Sequence, residues 1–137
     1  MPASDRHQRS VFRRYQLLAP LYEFAIAEPV FFAAARARAI ELLHLQPGHT
    51  VVDVACGTGL NTRPLRGQVG PRGHVIGIDY TERMLTRACA RARRRGWDNV
   101  TFHRLDATHL SRDALRAAGA LAPGQRVDAG ICTLGYR

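Results

Sequence analysis

The segment VVDVACGTGLN at residues 51–61 constrains the possible folds more than any other part of the sequence. Its first residues are apolar and β-branched, and the run is too short for a helix, so it predicts a buried strand. An acid, small residues and two glycines are typical of a turn whose backbone lies directly against a ligand. In open parallel sheets, ligands bind beyond the carboxyl ends of the strands, where this turn would lie.

The rest of the chain alternates between strand and helix patterns. Three further apolar segments predict strands: HVIGID at residues 74–79, NVTFHRL at residues 99–105 and VDAGICT at residues 127–133. Three crossover helices are predicted: a short one ending near residue 68, one at residues 81–96 and one at residues 110–121. This alternation predicts an α/β fold, a Rossmann-like doubly wound parallel sheet with helices on both faces.

Single residues define the ends of these helices. Pro64 keeps the first one short or shifted, because proline is tolerated only in the first helical turn. Thr81 is expected to cap the second helix, and Gly96 to end it.

Residues 1–46 are predicted to be a helical extension that precedes the sheet. Apolar residues recur at helical spacing from Val11 to Ala27, and Pro29 starts a second helix that ends before Pro47-Gly48. Residues 47–137 contain all the predicted strands. The chain is therefore predicted to be a single domain with a helical cap.

The net charge of +9 arises from 20 arginines and no lysines. Such a charge suits nucleic acid or an anionic membrane surface. The arginines are, however, spread along the chain, which favours a codon-usage origin and predicts no nucleic-acid partner. No apolar run is long enough for a transmembrane segment.

The cysteines and histidines do not predict a metal site or disulfides. Cys56, Cys89 and Cys132 are widely separated, and no pair of histidines has a metal-ligand spacing. The sequence after Met1 is polar and lacks a secretory signal. These features predict a reduced, cytoplasmic protein.

Acids stand at the ends of three successive predicted strands, at Asp53, Asp79 and Asp106. Asp79 follows Gly59 by twenty positions, the spacing of an acid that holds both hydroxyls of a ribose. These features fit a dinucleotide or another adenosine cofactor. The dinucleotide fingerprint would need a glycine at Thr62, and Asp53 would repel a pyrophosphate but attract an ammonium group.

Five segments carry a resemblance to a known family: YQLLAPLYE, PGHTVVDVACGTGLN, GHVIGIDYTERML, NVTFHRLDAT and VDAGICTL. With them, residues 15–133 resemble the amino-terminal part of a class I S-adenosylmethionine-dependent methyltransferase, most closely the quinone-biosynthesis and phospholipid methyltransferases. The resemblance implies that S-adenosyl-L-methionine is the cofactor and that residues 47–137 form the half that binds it.

The resemblance also implies roles for individual residues. The methionine moiety would be lined by Asp53, Ala55, Gly57 and Gly59, with Cys56 as a small packing residue in the same turn. Asp79 would hold the ribose, although it could instead cap the next helix. The adenine would contact Tyr80, Met84, Asp106 and Ala107, with core packing as the alternative for Met84.

The remaining implied roles concern the exit of the methyl group and the cover of the site. Cys132 and Thr133 would border the exit. Tyr15 and Tyr22 would close over the cofactor, with plain core packing as their alternative. No catalytic residue and no metal ligand is assigned, because an in-line displacement at a sulfonium methyl needs mainly proximity and orientation.

The implied activity is methyl transfer to a small or lipid-like acceptor. Members of the resembled family continue beyond strand four, so the fold is expected to be truncated there, with the VDAGICT strand as an exposed edge. Such an edge invites pairing with another chain, which predicts aggregation or a homodimer and little activity for this chain alone. The alternatives are a non-catalytic cofactor-binding module that needs a partner chain, a nicotinamide-dependent oxidoreductase and a basic nucleic-acid-binding domain.

Overall fold

The computed structural model describes residues 30–133, with side chains from Phe32 onward. The predictions for Tyr15, Tyr22 and the helix at residues 11–27 lie outside this range. The helices are α1 (Val30–Glu41), α2 (Thr62–Val69), α3 (Glu82–Arg94) and α4 (Arg112–Ala117), with a 3₁₀ turn at Ala107–His109. The strands are β1 (Thr50–Val54), β2 (His74–Asp79), β3 (Val100–Arg104) and β4 (Ala129–Ile131).

The four strands form one parallel sheet in the order β3-β2-β1-β4. The chain adds β2 and β3 on one side of β1, and β4 then returns to the other side. This confirms the predicted doubly wound α/β fold. The reversal occurs beside β1, so the crevice outside the carboxyl ends of β1 and β4 is the position where such sheets bind ligands.

Alternating side chains of the strands build a core on each face of the sheet. One core contains the buried residues Ile40, Leu45, Val51, Leu65, Val69, Val75 and Ile131. The other contains Val52, Ile76, Ile78, Leu115, Ala120 and Leu121. Helices therefore cover both faces, and the side of β1 that carries Val51 and Asp53 is the one on which α1 and α2 pack.

The last crossover helix is shorter than residues 110–121. Ser111 accepts a hydrogen bond from the Ala114 N–H at its start. At its end Gly119 has a φ of 74°, and the N–H groups of Gly119 and Ala120 bond to the carbonyls of Arg116 and Leu115. This is a Schellman ending, which stops the helix at Ala117.

The fourth strand and one helix cap also differ from expectation. β4 covers only Ala129–Ile131; just before it, Asp128 contacts Thr50 twice, by donating its N–H to the Thr50 carbonyl and by accepting the Thr50 N–H on its carboxylate. Thr81 is the N-cap residue of α3, but its side chain makes no capping bond. Pro64 lies in the first turn of α2, as its conformational restriction requires.

Within residues 30–133 no helix combines the length and the apolar character that a membrane span requires. β4 pairs only with β1 in this part of the chain. Pairing of β4 with a second copy stays a prediction.

Candidate functional site

The turn after β1 bends through left-handed backbone conformations. Ala55 has a φ of 54°, Gly57 of 57° and Gly59 of 81°. A Cβ atom at Gly57 would meet no atom within 4 Å, whereas one at Gly59 would lie 3.1 Å from Thr62 Oγ1 and 3.3 Å from Ala88 Cβ. A side chain at Gly59 is therefore disfavoured both by its positive φ and by these tight contacts, whereas Gly57 leaves open space beside the backbone.

Asp53 is the buried acid of the site, with an exposed fraction of 1%. Asn61 Nδ2 donates hydrogen bonds to Asp53 Oδ1 and to Thr133 Oγ1, each at 3.0 Å. Asp53 Oδ2 is buried and has no hydrogen-bond partner among the described residues. Burial raises the pKa of Asp53 to about 7, against the opposing effects of the Asn61 hydrogen bond and the nearby Arg36 charge.

Asp79 holds the glycine turn in place. Its Oδ2 accepts from the Gly57 N–H at 2.9 Å, and its Oδ1 accepts from the Thr81 N–H at 2.8 Å. The bond from the Thr81 N–H is the one expected if Asp79 caps the next helix, which is the alternative role given for this residue in the sequence analysis. Each carboxylate oxygen retains a further lone pair, so this arrangement leaves acceptor capacity for hydroxyl groups.

Asp106 follows β3 at the same edge of the sheet and is exposed. Its Oδ1 accepts from Thr108 N–H at 2.9 Å and from Thr108 Oγ1 at 2.7 Å. These hydrogen bonds lower the pKa of Asp106, with a smaller contribution from His109. Ala107 is exposed beside it and begins the 3₁₀ turn.

The two other residues assigned to the adenine differ in accessibility. Tyr80 is 52% exposed, and the Arg104 guanidinium lies 5.3 Å from its ring centroid. Met84 is only 3% exposed, on the buried face of α3. This burial supports the core-packing alternative for Met84.

The cysteines of the site have different environments. Cys56 is buried, and burial raises its thiol pKa well above the ordinary value, which fits its expected packing role. Cys132 is exposed, and Thr133 is half-buried. Both line a cleft of about 200 Å³ that is completed by Phe32, Ala35, Arg36 and Ala39 of α1.

Three residues that the sequence interpretation did not single out contribute to this region. Asn61 follows the glycine turn and joins the ends of β1 and β4. Arg36 is buried on α1. Gly77 of β2 makes room for the Phe102 ring, since a Cβ there would lie 2.5 Å from a ring carbon. The role of Asn61 could have been predicted from the sequence, because it is a polar residue at the end of a glycine turn. The roles of Arg36 and Gly77 could not, because they depend on how separate elements pack.

The described residues contain no group of three or more histidine, cysteine, aspartate or glutamate side chains that could hold a metal ion.

Comparison with known proteins finds a matching family and several similar proteins. The family described as "Methyltransferase domain" matches residues 45–129. A 23S rRNA (uracil(1939)-C(5))-methyltransferase of Psychrobacter arcticus is 41% identical over 75 residues, which cover 55% of this chain and 15% of that protein. Nocamycin O-methyltransferase of Saccharothrix syringae is 36% identical over 87 residues, which cover 64% of this chain and 30% of that protein.

Solved structures share the fold. A protein-L-isoaspartate O-methyltransferase superposes with a TM-score of 0.62 at 23% identity, covering 75% of this chain and 29% of the other. A SAM-dependent methyltransferase from Aquifex aeolicus superposes with a TM-score of 0.50 at 28% identity, covering 55% and 40% respectively. The family match includes the glycine turn and most of the sheet, including the start of β4, so this chain belongs to the methyltransferase-domain family.

Proposed function

We propose that this chain binds S-adenosyl-L-methionine and serves methyl transfer from it to a small or lipid-like acceptor. The observation that carries the proposal is the buried Asp53 carboxylate, whose Oδ2 has no hydrogen-bond partner among the described residues. Burial of such an oxygen is unfavourable unless a donor reaches it. An ammonium group on a ligand is a suitable donor.

The other residues of the site fit the same cofactor. Gly57 leaves open space for the methionine part, and Asp79 has acceptor capacity for ribose hydroxyls. Asp106 and Tyr80 lie exposed after β3 and β2, where an adenine would extend. When bound, S-adenosylmethionine supplies an electrophilic methyl group on a sulfonium centre.

The residues of this chain act by binding and orientation. Asn61 fixes the Asp53 carboxylate and ties it to Thr133, so the ends of β1 and β4 keep a fixed separation. Such positioning is the main contribution to an in-line displacement. The implied role of Cys132 and Thr133 at the methyl exit agrees with their position on the cleft of about 200 Å³.

A small acceptor is favoured by the lining of that cleft. Phe32, Ala35 and Ala39 give it an apolar wall, and its volume is below the roughly 300–1,000 Å³ of typical small-molecule pockets, so it can hold only a small acceptor or one part of a larger one. The alternative acceptor is RNA. It is favoured by the rRNA methyltransferase relative and by the ten arginines between residues 62 and 104.

A radiolabelled methyl-transfer assay with quinol, phenol and rRNA fragments as acceptors distinguishes a small acceptor from RNA. If the chain binds the cofactor but transfers no methyl group to any of these acceptors, the result would favour the non-catalytic module.

Isothermal titration calorimetry with S-adenosylhomocysteine and with NADH tests the cofactor. We expect S-adenosylhomocysteine to bind and NADH not to bind. Asp53→Asn should weaken S-adenosylhomocysteine binding by about 1.5–3 kcal/mol, the value of a charge-assisted hydrogen bond. Asp98→Asn serves as the control. It removes an exposed acid just before β3, at the amino-terminal ends of the strands and therefore on the side of the sheet away from the site. Binding of NADH alone would disprove the proposal.

A further inference from the structure

Two arginines from different elements lie against the single tryptophan of the chain. The guanidinium carbons of Arg66, on α2, and Arg95, at the end of α3, are 5.4 Å and 5.5 Å from the centre of the Trp97 ring. Trp97 is half-buried and Arg95 is exposed. Two like charges are therefore held beside one indole, where cation–π attraction opposes their mutual repulsion.

Asn99 fixes the position of Arg66. Its Oδ1 accepts a hydrogen bond from Arg66 Nε, and its Nδ2 donates at 3.0 Å to the carbonyls of Gly70 and Gly73. The loop that carries the exposed Arg72 is thereby held beside the same asparagine. A guanidinium that is already fixed in place loses less conformational entropy when it binds a ligand.

The last turn of α3 adds two more exposed arginines, Arg93 and Arg94. Asp98 is the only acidic residue between Glu82 and Asp106, so this segment has a large excess of positive charge. We call the arginines around Trp97 the basic cluster, which consists of Arg66, Arg72, Arg93, Arg94 and Arg95. Folding thus gathers arginines that are spread along the sequence onto one surface.

The basic cluster lies at the end of the sheet opposite the candidate cofactor site. Crossover helices run antiparallel to the strands of a parallel sheet, so the last turns of α2 and α3 lie beside the amino-terminal ends of β2 and β3. The Val75 N–H bonds there to the Asn99 carbonyl at 3.0 Å. Asp53 and Asp79, by contrast, stand towards the carboxyl ends of β1 and β2. The cluster therefore needs an explanation other than cofactor binding.

The side chains of the cluster favour a nucleic acid over a membrane surface. Helices that bind membranes insert apolar and aromatic side chains into the lipid. The large hydrophobic residues that are exposed in the described part of the chain are Phe32, Leu42 and Tyr80, and none belongs to this cluster. Guanidinium groups instead match phosphate oxygens with paired N–H donors.

We propose that the basic cluster is a docking surface for RNA, which it holds through the phosphate backbone. Contacts to phosphate position a strand without reading its sequence, so the surface binds RNA of different sequences alike. RNA is the nucleic acid that the proposed function already considers as an acceptor. The inference goes beyond that function, because the cluster is separate from the cofactor site and binds whether or not RNA is methylated.

The competing interpretation is that these arginines serve the fold alone. Cations near the carboxyl end of a helix interact favourably with the helix dipole, and Trp97 would then only pack against the guanidinium groups. In that case replacing the arginines changes stability but not the affinity for RNA.

The experiment is fluorescence anisotropy with a labelled oligouridylate of about 12 nucleotides, a length within the usual site sizes for single strands. Arg94→Gln/Arg95→Gln should weaken binding about three- to thirtyfold, the effect of losing two exposed ion pairs. It should also reduce the slope of log affinity against log salt by about 1 to 1.5. Glutamine and arginine have similar helix propensities, so this variant should fold.

The matched control is Arg112→Gln/Arg116→Gln, which removes the same charge from α4. Leu115 of α4 belongs to the core on one face of the sheet, and Leu65 of α2 to the core on the other. Screening by salt limits the effect of such distant charges, so the control should weaken RNA binding less than about twofold. Circular dichroism establishes that both variants are folded.

Trp97 reports occupancy of the cluster directly, because the chain has no other tryptophan. Unlabelled oligouridylate should change the Trp97 emission with the same midpoint as the anisotropy titration. Asp98→Asn removes the neighbouring negative charge and should tighten binding about two- to threefold. An oligoadenylate of the same length should bind with an affinity similar to that of the oligouridylate.

Several results would overturn the proposal. They are equal weakening by the two double variants, RNA binding without a change in Trp97 emission, and tighter binding of the matching oligodeoxynucleotide. Binding to anionic vesicles that depends on Arg94 and Arg95, without binding to RNA, would assign the cluster to a membrane surface instead. Arg94→Gln/Arg95→Gln should bind S-adenosylhomocysteine like the native chain, so the docking surface and the proposed function are tested separately.

Discussion

The Asp79 carboxylate accepts a hydrogen bond from the Gly57 N–H at 2.9 Å, across 22 positions of sequence. This contact joins the end of β2 to the glycine turn that follows β1. The same carboxylate accepts from the Thr81 N–H at the start of α3. One side chain therefore shapes the turn, the helix start and the proposed ribose site together.

Replacing Asp79 should affect both stability and ligand binding. Asp79→Ala leaves two backbone N–H groups without their acceptor, so we expect the free energy of unfolding to fall by about 2–4 kcal/mol. Asp79→Asn keeps one acceptor oxygen and should lie between the alanine variant and the native chain. Urea denaturation measures the change. Asp106→Ala, which removes an exposed cap, should cost about 1 kcal/mol.

Ligand affinity should follow the same order. Asp79→Ala should weaken S-adenosylhomocysteine binding more than Asp106→Ala, because a carboxylate that receives two ribose hydroxyls loses two charge-assisted hydrogen bonds. Calorimetry at a temperature where both variants are folded measures the difference. Equal losses would restrict Asp79 to its structural contacts.

Binding of a ligand with an ammonium group should tighten as the pH rises through 7. The pKa of Asp53 is raised to about 7, so the fraction of ionised carboxylate grows between pH 6 and pH 8. The apparent affinity for S-adenosylhomocysteine should increase roughly tenfold over this range. Titrations at several pH values measure it, and Asp53→Asn should abolish the dependence. A native chain with pH-independent affinity would argue against contact between Asp53 and the ammonium.

Asp53 should also affect the unliganded protein in a definite direction. Its pKa is higher in the folded chain than the ordinary value near 4, so the folded state binds the extra proton. Stability from this group is present below pH 4 and is lost as the pH rises to 7. Asp53→Asn should therefore be more stable than the native chain at pH 8, with the difference shrinking towards pH 4 in thermal unfolding.

The His74 imidazole should make the fold sensitive to acid. Gln125 Oε1 accepts from the Ala122 N–H, so its Nε2 donates to His74 Nδ1 at 2.9 Å, and His74 Nε2 donates to Thr101 Oγ1. Protonation of Nδ1 would break the contact with Gln125. Burial lowers the pKa of His74, with a smaller contribution from His103.

The contribution of His74 to stability changes with pH in the opposite direction to that of Asp53. A lowered histidine pKa gives stability that is present above the ordinary value near 6.5 and is lost as the pH falls through the folded-state value. The difference in unfolding free energy between the native chain and His74→Gln should shrink as the pH falls from 7.5 to 5. Comparing the two proteins cancels the titration of Asp53. A constant difference would show that His74 does not titrate with folding.

Gly77 should not tolerate a side chain. A Cβ there would lie 2.5 Å from Phe102 Cδ1 and 3.0 Å from Cys56 Sγ, so Gly77→Ala should lower the free energy of unfolding by about 1–3 kcal/mol. Phe102→Leu should restore part of this loss. Gly67→Ala is the matched control, because a Cβ at that helical position meets nothing within 4 Å and should stabilise by about 0.5–1 kcal/mol. Urea denaturation distinguishes the two.

Local sequence pattern determined the elements of this protein and three of its candidate site residues. The four strands, the glycine turn, and the acids Asp53, Asp79 and Asp106 were all predictable. Apolar periodicity and turn residues report the conformation of a single segment, and strand ends in a parallel sheet lie together by topology. Helix ends were less predictable, as the Schellman ending at Gly119 shows.

Tertiary structure alone decided which distant residues meet. The sequence spacing between Asn61 and Thr133 does not reveal that their side chains hydrogen-bond, because that contact depends on β4 pairing beside β1. Likewise, Arg36 and Arg38 are equivalent in sequence pattern, and only the rotation of α1 about its axis buries one and exposes the other. The physical reason is that side-chain burial depends on how elements pack against one another, which no single segment encodes.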